Sequence, residues 1–304
     1  MRVLVTGSTG LIGSALVPFL TTGGHEVIRL VRSRGRAGSS DALWDPMAGT
    51  IDAAKIEGID AAVHLAGDNV GAGRWTESRK ARIRQSRERG TRLLCETLAR
   101  LKRPPRVLVS ASATGYYGNR GAELLDEEAG PGRGFLAEVC RAWEDGTRPA
   151  EEAGIRVVRL RIAVVLTTAG GALPRMLTPF RLGLGGRLGS GSQFMPWIAI
   201  DDLVGVIGHA IAREDLRGPV NAASPGAVTN AEFTRVLARV LRRPALFPVP
   251  AAALRLMFGE MAEQMLLSSQ RVEPAKLRTS GYLFRHPDLE GALRHLLGRE
   301  VAKR

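Results

Sequence analysis

Eight consecutive residues carry the clearest chemistry in this chain: Thr6-Gly7-Ser8-Thr9-Gly10-Leu11-Ile12-Gly13. Gly7 permits a tight turn, Gly10 lets the main chain approach a pyrophosphate, and Gly13 lets a helix pack on its strand. The turn follows the strand-like run Arg2–Thr6 and opens the helical pattern Leu11-Ile12, Ala15-Leu16, Phe19-Leu20. That context presents the free N–H groups and partial positive charge of a helix N-terminus to a phosphate. Gly7, Thr9, Gly10, Leu11, Ile12 and Gly13 are therefore assigned to the phosphate turn of a dinucleotide site. At the end of the second strand-like run an NAD site places Asp or Glu, which accepts from the ribose 2′-hydroxyl. Here that stretch reads Val31-Arg32-Ser33-Arg34-Gly35-Arg36. A guanidinium binds a 2′-phosphate through paired, charge-assisted hydrogen bonds, whereas a carboxylate repels it. Arg32 is the first candidate and Arg34 the second, and the expected cofactor is NADP(H).

The elements that position these residues alternate regularly. Arg2–Thr6, the helix after it and the run Glu26–Arg32 make a β-turn-α-β unit. Ala61–Leu65 reads as a third strand, Thr76–Leu101 as a long charged helix closed by Pro104-Pro105, and Arg106–Ser110 as a further strand. A helix is expected around Leu136–Ala153 and a strand over Arg156–Leu160. The pattern predicts an α/β fold, a doubly wound parallel Rossmann sheet with right-handed crossovers. Beyond residue 167 the texture changes to a glycine-punctuated stretch, followed by helices over Asp201–Ile211, Thr229–Arg242, Ala251–Met265 and Leu289–Leu297. Thr229-Asn230-Ala231-Glu232 is a capping box. The expected organisation is a dinucleotide-binding unit over 1–167, rejoined by about 197–215, and a smaller, mostly helical lobe over 168–304.

Composition narrows the class. The chain has 304 residues, 44% hydrophobic and 24% charged, which is ordinary globular usage. No apolar run approaches the roughly 20 residues that cross a bilayer, so no membrane contact is expected. Only Cys95 and Cys140 are present, both expected in polar helical surroundings, and a disulfide framework is not expected. With no export signal before Val3, a cytoplasmic location is expected. The net charge of +13 comes from 43 basic residues, of which only positions 55, 80, 102, 276 and 303 are Lys. The arginines are spread along the whole chain without a nucleic-acid motif, so nucleic acid ranks below a small anionic ligand as a partner.

Several segments together resemble a known group. Thr-Gly-x-x-Gly-x-x-Gly at 6–13, His64-Leu65-Ala66-Gly67 and Ser110-Ala111-Ser112 resemble the extended short-chain dehydrogenase/reductase superfamily. Arg74-Trp75, Gly115-Tyr116-Tyr117-Gly118, the segment from Pro179 to Gly186, Pro196-Trp197-Ile198 with Asp201-Asp202-Leu203, and Thr229–Phe233 resemble its atypical "epimerase family" (nucleoside-diphosphate-sugar epimerase-like) branch. The similarity spans essentially the whole chain. It implies that Leu65 and Ala66 line the adenosine and ribose side, with Gly67 and Ser110 among the cofactor residues. Extended members carry Asn just ahead of a Gly-Thr pair; here Gly90-Thr91 follows Arg87, which makes Arg87 a cofactor contact. Ser112 stands where the superfamily keeps its catalytic Ser or Thr.

The departure from that pattern bears on reaction. Reductases and epimerases of the superfamily use Tyr-x-x-x-Lys, in which Tyr transfers a proton and Lys lowers its pKa and holds the ribose. The corresponding stretch here is Phe135-Leu136-Ala137-Glu138-Val139-Cys140-Arg141, and no Lys lies between 102 and 276. Tyr116 or Tyr117 is then the substitute acid, and Arg141 a substitute cation that cannot act as a base. His64 is read as a packed or capping histidine beside the cleft, and Asp201-Asp202 as a helix cap or as partners of Arg161. Trp197, Phe194 and Phe180 either floor a substrate pocket or pack in the core. The histidines at 25, 64, 209, 286 and 295 show no metal spacing, so no metal site is expected. The expectation is an NADP(H)-binding oxidoreductase or epimerase-like enzyme, monomer or homodimer, acting on a small molecule. The alternative is a non-catalytic NADP(H)-binding scaffold or redox sensor.

Overall fold

The computed structural model describes residues 1–33 and 41–299. The chain runs β1 (Arg2–Thr6), α1 (Leu11–Thr22), β2 (Glu26–Val31), β3 (Ala42–Asp45), β4 (Thr50–Ile51), α2 (Ala53–Ile56) and β5 (Ala61–His64). Then come α3 (Glu77–Ala99), β6 (Val107–Ala113), β7 (Leu124–Leu125), α4 (Phe135–Asp145), α5 (Arg148–Glu152) and β8 (Arg156–Ile162). The remainder is β9 (Val164–Leu166), α6 (Ala172–Arg181), β10 (Phe194–Met195), β11 (Trp197–Ala199), α7 (Ile200–Ala212), β12 (Gly218–Ala222) and β13 (Val228–Thr229). It ends with α8 (Asn230–Leu241), α9 (Ala251–Phe258), β14 (Arg271–Val272), α10 (Ala275–Thr279) and α11 (Leu289–Leu296).

Eight strands form the central sheet in the order β12-β8-β6-β5-β1-β2-β3-β4, parallel except for the β3–β4 pair. Strand alternation divides its side chains between two layers. Val3, Val5, Val63, Val109 and Leu160 bury against Leu16 and Leu20 of α1 and Leu203 and Ile207 of α7. Leu4, Ile28, Ala62, Leu108 and Val157 bury against Leu94, Cys95 and Leu98 of α3. A third cluster, with Leu173, Trp197, Phe233, Leu237 and Leu293, forms the core of the C-terminal part. The strand order reverses between β1 and β5, and the loops leaving their carboxyl ends diverge there, where open α/β sheets bind ligands.

The doubly wound sheet matches the sequence pattern, with several local differences. The helix expected around Leu136–Ala153 is two helices, because α4 stops at Gly146 and Pro149 occupies the first turn of α5. The helix expected to reach Met265 stops at Phe258, capped by Gly259 at φ +59°. Strands β3, β4 and β12 were not expected from the sequence; β12, which opens on Gly218-Pro219, carries the returning chain to Ala222. Cys95 and Cys140 are both buried and free rather than in polar surroundings, since each lies on the apolar stripe of its helix. Among the described residues no helix is long and apolar enough to cross a membrane.

The C-terminal segment hooks back into the sheet unit. β14 pairs with β7 in parallel, and Glu273 N–H donates to Leu125 O. Ser269 N–H donates to Asn119 Oδ1 (3.1 Å), Arg120 N–H donates to Ser269 O (2.9 Å), and Leu136 N–H donates to Gln264 Oε1 (2.9 Å). Buried Glu127 accepts from the N–H groups of both Asn221 and Lys276.

Candidate functional site

The phosphate turn is shaped by the exclusion of side chains. Gly7 has φ +66°, and a Cβ there would lie 2.8 Å from the Leu65 carbonyl carbon. A Cβ on Gly13 would lie 2.2 Å from Gly7 O and 2.6 Å from Ser8 Cα, so only glycine lets α1 pack this tightly on the turn. Gly10 is less constrained, its nearest neighbour being Gly7 O at 3.2 Å. Gly10 is also the N-cap of α1; among the described residues no side chain caps the helix, and its first turn holds no acid. The N–H groups at Leu11, Ile12 and Gly13 thus lack intrahelical partners. Thr9 is exposed at this turn and Ser8 buried. The Leu11 side chain lies 3.1 Å from where a Cβ on Gly170 or Gly171 would sit, so the loop after β9 lies over the start of α1.

A buried triad of polar side chains fixes the two strand ends. Thr6 Oγ1 accepts from the N–H groups of Leu65 (3.0 Å) and Ala66 (3.2 Å), which fills both its lone pairs. Its own proton then goes to His64 Nδ1 at 2.8 Å, and His64 Nε2–H donates to Thr91 Oγ1 at 3.0 Å. Burial, aided by the nearby Arg87 charge, pulls His64 down to about 4. This histidine is a neutral tie between β1, β5 and α3, in agreement with the packed or capping role expected of it.

Around this tie the structure gathers most of the assigned cofactor residues. Leu65 and Ala66 are half-buried and Gly67 exposed. The Arg87 guanidinium lies 3.3 Å from where a Cβ on Gly67 would sit, stacks 4.8 Å from the Trp143 ring and donates to Ile83 O (3.1 Å). Burial pulls its pKa down, though a guanidinium keeps its charge. Ser110 is buried in register with His64. Arg32 is exposed just past β2; Arg34 lies outside the described residues.

The far end of the cleft is built differently. Ser112, Arg161 and Asn221 sit side by side on β6, β8 and β12. Ser112 Oγ–H donates to Glu144 Oε1 (2.7 Å), and Arg161 grips Glu144 with Nε and Nη2, both at 3.0 Å. Burial works against the Arg161 charge, but these paired bonds outweigh it and hold its pKa up. Arg161 Nη1 also donates to Tyr117 Oη (3.0 Å), and Tyr117 Oη–H points to Asn221 Oδ1 (2.7 Å) with Asp126 O nearby (2.9 Å). Tyr117 is fully buried, and burial pushes its hydroxyl up to about 12. Tyr116 is half-buried, its ring 3.5 Å from the Arg161 guanidinium, and its hydroxyl makes no hydrogen bond among the described residues.

Where Tyr and Lys would stand, α4 presents Leu136, Cys140 and Glu144, one turn apart each, toward residues 112–117. A Cβ on Gly115 would lie 3.2 Å from Leu136 Cβ and 3.8 Å from Cys140 Sγ. Burial pushes the Cys140 thiol up to about 12. Arg141 is exposed on the same helix. Glu144 was missed by sequence reasoning; its only signal is the four-residue spacing from Cys140, and nothing local points to Arg161. Arg161 pairs with Glu144 and not with Asp201 or Asp202. The Asp202 carboxylate instead accepts from Arg285 N–H (2.7 Å) and His286 N–H (3.0 Å), joining α7 to the 285–286 turn. Trp197 and Phe180 are core residues, while Phe194 is half-buried under Arg271.

Comparison with known proteins places this geometry. Residues 3–223 match the model of the NAD dependent epimerase/dehydratase family, and residues 249–296 match a domain of unknown function, DUF1731. Epimerase family protein MT2273 of Mycobacterium tuberculosis is 44% identical over 291 residues, covering 96% of each chain. Human epimerase family protein SDR39U1 is 38% identical over 300 residues, covering 98% of this chain and all of that one. A crystal structure of human SDR39U1 (isoform 2) with NADPH superposes with a TM-score of 0.90 at 36% identity, covering 99% of this chain and 100% of that chain. With a glycine cradle on β1 and α1, an eight-stranded doubly wound sheet and full-length relatives of this kind, the chain belongs to the NAD dependent epimerase/dehydratase family.

Proposed function

We propose that this protein is an NADP(H)-dependent oxidoreductase or epimerase-like enzyme acting on a small molecule. The observation that carries the proposal is the uncapped, acid-free N-terminus of α1 over its glycine cradle, with Arg32 and no carboxylate at the end of β2. Gly7, Gly10 and the N–H groups of Leu11, Ile12 and Gly13 fit the pyrophosphate, and Arg32 fits a 2′-phosphate. Leu65, Ala66, Gly67 and Arg87 line the neighbouring edge. The bound nicotinamide would supply hydride transfer. Ser112 commits its proton to Glu144 and offers only lone pairs, so it accepts from a substrate hydroxyl. Tyr116, whose hydroxyl is uncommitted, is the proton donor in place of the missing dyad.

The first test titrates the protein with NADPH, NADH, NADP⁺ and NAD⁺ and repeats this on Arg32→Asp. Tighter NADPH than NADH binding, with the gap narrowed in the variant, supports the site; no binding by any of the four removes it. A metabolite screen for NADPH oxidation on wild type, Tyr116→Phe and Ser112→Ala tests the chemistry. The second reading, a non-catalytic NADP(H)-binding scaffold or sensor, is favoured by one observation: the Ser112 and Tyr117 hydroxyls are both consumed by a buried network. NADPH binding without turnover of any metabolite selects it.

A further inference from the structure

We propose that Asp201, His286 and His295 form a binding site for a divalent transition-metal ion of the zinc type, joining the start of α7 to α11. Spacing along the chain could not reveal it, because the three residues come from α7, the 285–286 turn and α11. In the fold, one ligand atom from each lies within 4.8 Å of the other two. His295 Nε2 is 3.2 Å from Asp201 Oδ2, and the two imidazole rings stack with centroids 4.3 Å apart at 27°. A tetrahedral ion with bonds of about 2.0–2.1 Å separates its ligand atoms by roughly 3.3 Å. One edge of that figure is already present, and side-chain rotation of partly exposed groups closes the others.

The backbone under each ligand is held independently. The buried Asp202 carboxylate takes the N–H groups of Arg285 and His286, which fixes the turn that carries His286. Tyr282 Oη donates to Asp202 O (2.9 Å), anchoring the approach to that turn. Asp288 caps α11 through Gly291 N–H (2.8 Å), and the helix carries His295. Arg294, beside His295, pairs with Glu290 at 2.6 Å, a carboxylate it shares with Arg239 at 2.9 Å, so its guanidinium is turned to that pair. Two imidazoles and one carboxylate suit Zn²⁺, Co²⁺, Ni²⁺ or Cu²⁺, whereas Mg²⁺ and Ca²⁺ require mostly oxygen donors. Three protein ligands leave positions for water, so the ion would act as a clip between two chain segments.

The test uses the full-length protein, freed of metal with a chelator and titrated with ZnCl₂, with MgCl₂ in parallel. A single Zn²⁺ per chain is expected. At metal concentrations well above the dissociation constant the thermal midpoint should rise by about 2–6 °C, with Mg²⁺ giving no shift. His286→Ala, His295→Ala and Asp201→Asn should each weaken uptake by more than about 10-fold, the loss that removal of even an outer partner can cause. Their metal-free midpoints, close to wild type, separate lost binding from lost folding. Absence of stoichiometric uptake, or uptake by all three variants equal to that of wild type, overturns the proposal and leaves an Asp–His pair with a stacked imidazole only.

Discussion

The two ends of the cleft solve the same task, holding strands at ligand distance, by opposite means. At the β1–α1 end the work is done by backbone: glycines remove side chains, and uncapped N–H groups face outward. At the β6–α4–β8 end it is done by side chains: Ser112, Glu144, Arg161, Tyr117 and Asn221 bond to one another in a buried chain. Backbone donors face a ligand at no cost in buried charge. A side-chain network of this kind must first satisfy itself, because an unpaired buried charge is expensive. The first end therefore keeps the donors that bind a cofactor, while the second has turned most of its polar groups inward.

This contrast is best broken at Glu144. Glu144→Ala leaves the Arg161 guanidinium buried without its carboxylate, and we expect a loss of about 3–5 kcal/mol in denaturant unfolding. A loss below about 1 kcal/mol would mean that the network is loosely held. The next effect is a pH dependence at His64. Its folded pKa, about 4, lies below the ordinary 6.5, so between those values the unfolded chain binds the proton and the native one does not. Stability is therefore full above about pH 6.5 and falls as pH drops toward 4, by up to about 3 kcal/mol. His64→Asn should flatten this part of the profile relative to wild type. If both proteins lose stability in parallel, the acid sensitivity lies elsewhere.

Smaller effects test the glycine end. Gly13→Ala forces a Cβ onto backbone atoms and should destabilise by about 2–3 kcal/mol, while Gly10→Ala should cost under about 1 kcal/mol. Equal costs would show that the cradle is not governed by this contact. Arg32→Asp should leave unfolding unchanged and reduce the NADPH-over-NADH preference by about 10- to 100-fold, read by titration. An unchanged preference would move the 2′-phosphate contact to another residue.

The same contrast explains what could be read from the chain beforehand. The glycine turn, the third strand with Leu65 and Ala66, and the capping box of α8 are local signals, each complete within a dozen residues. Arg87 was reached through family resemblance and does lie against Gly67. The Ser112–Glu144–Arg161–Tyr117 network joins four separate elements, and only strand register puts Ser112 beside Arg161. Tyr116 and Tyr117 illustrate the limit: they are adjacent and chemically identical, yet Tyr117 is sealed in the core and the Tyr116 hydroxyl has no hydrogen bond among the described residues. Strand β4 escaped notice because two residues have no periodicity, and β12 because it opens on Gly218-Pro219, a pair that reads as a turn.

The pairing of β14 with β7, and of Gln264, Ser269 and Lys276 with residues 119–136, has a consequence for synthesis. A chain leaving the ribosome holds every strand of the central sheet once Ala222 has emerged. The segment that follows Tyr116 and Tyr117 still lacks its partners until residues 264–276 appear. Residues 264–276 are thus needed to seal residues 119–136, and this side of the cleft matures only after they have emerged.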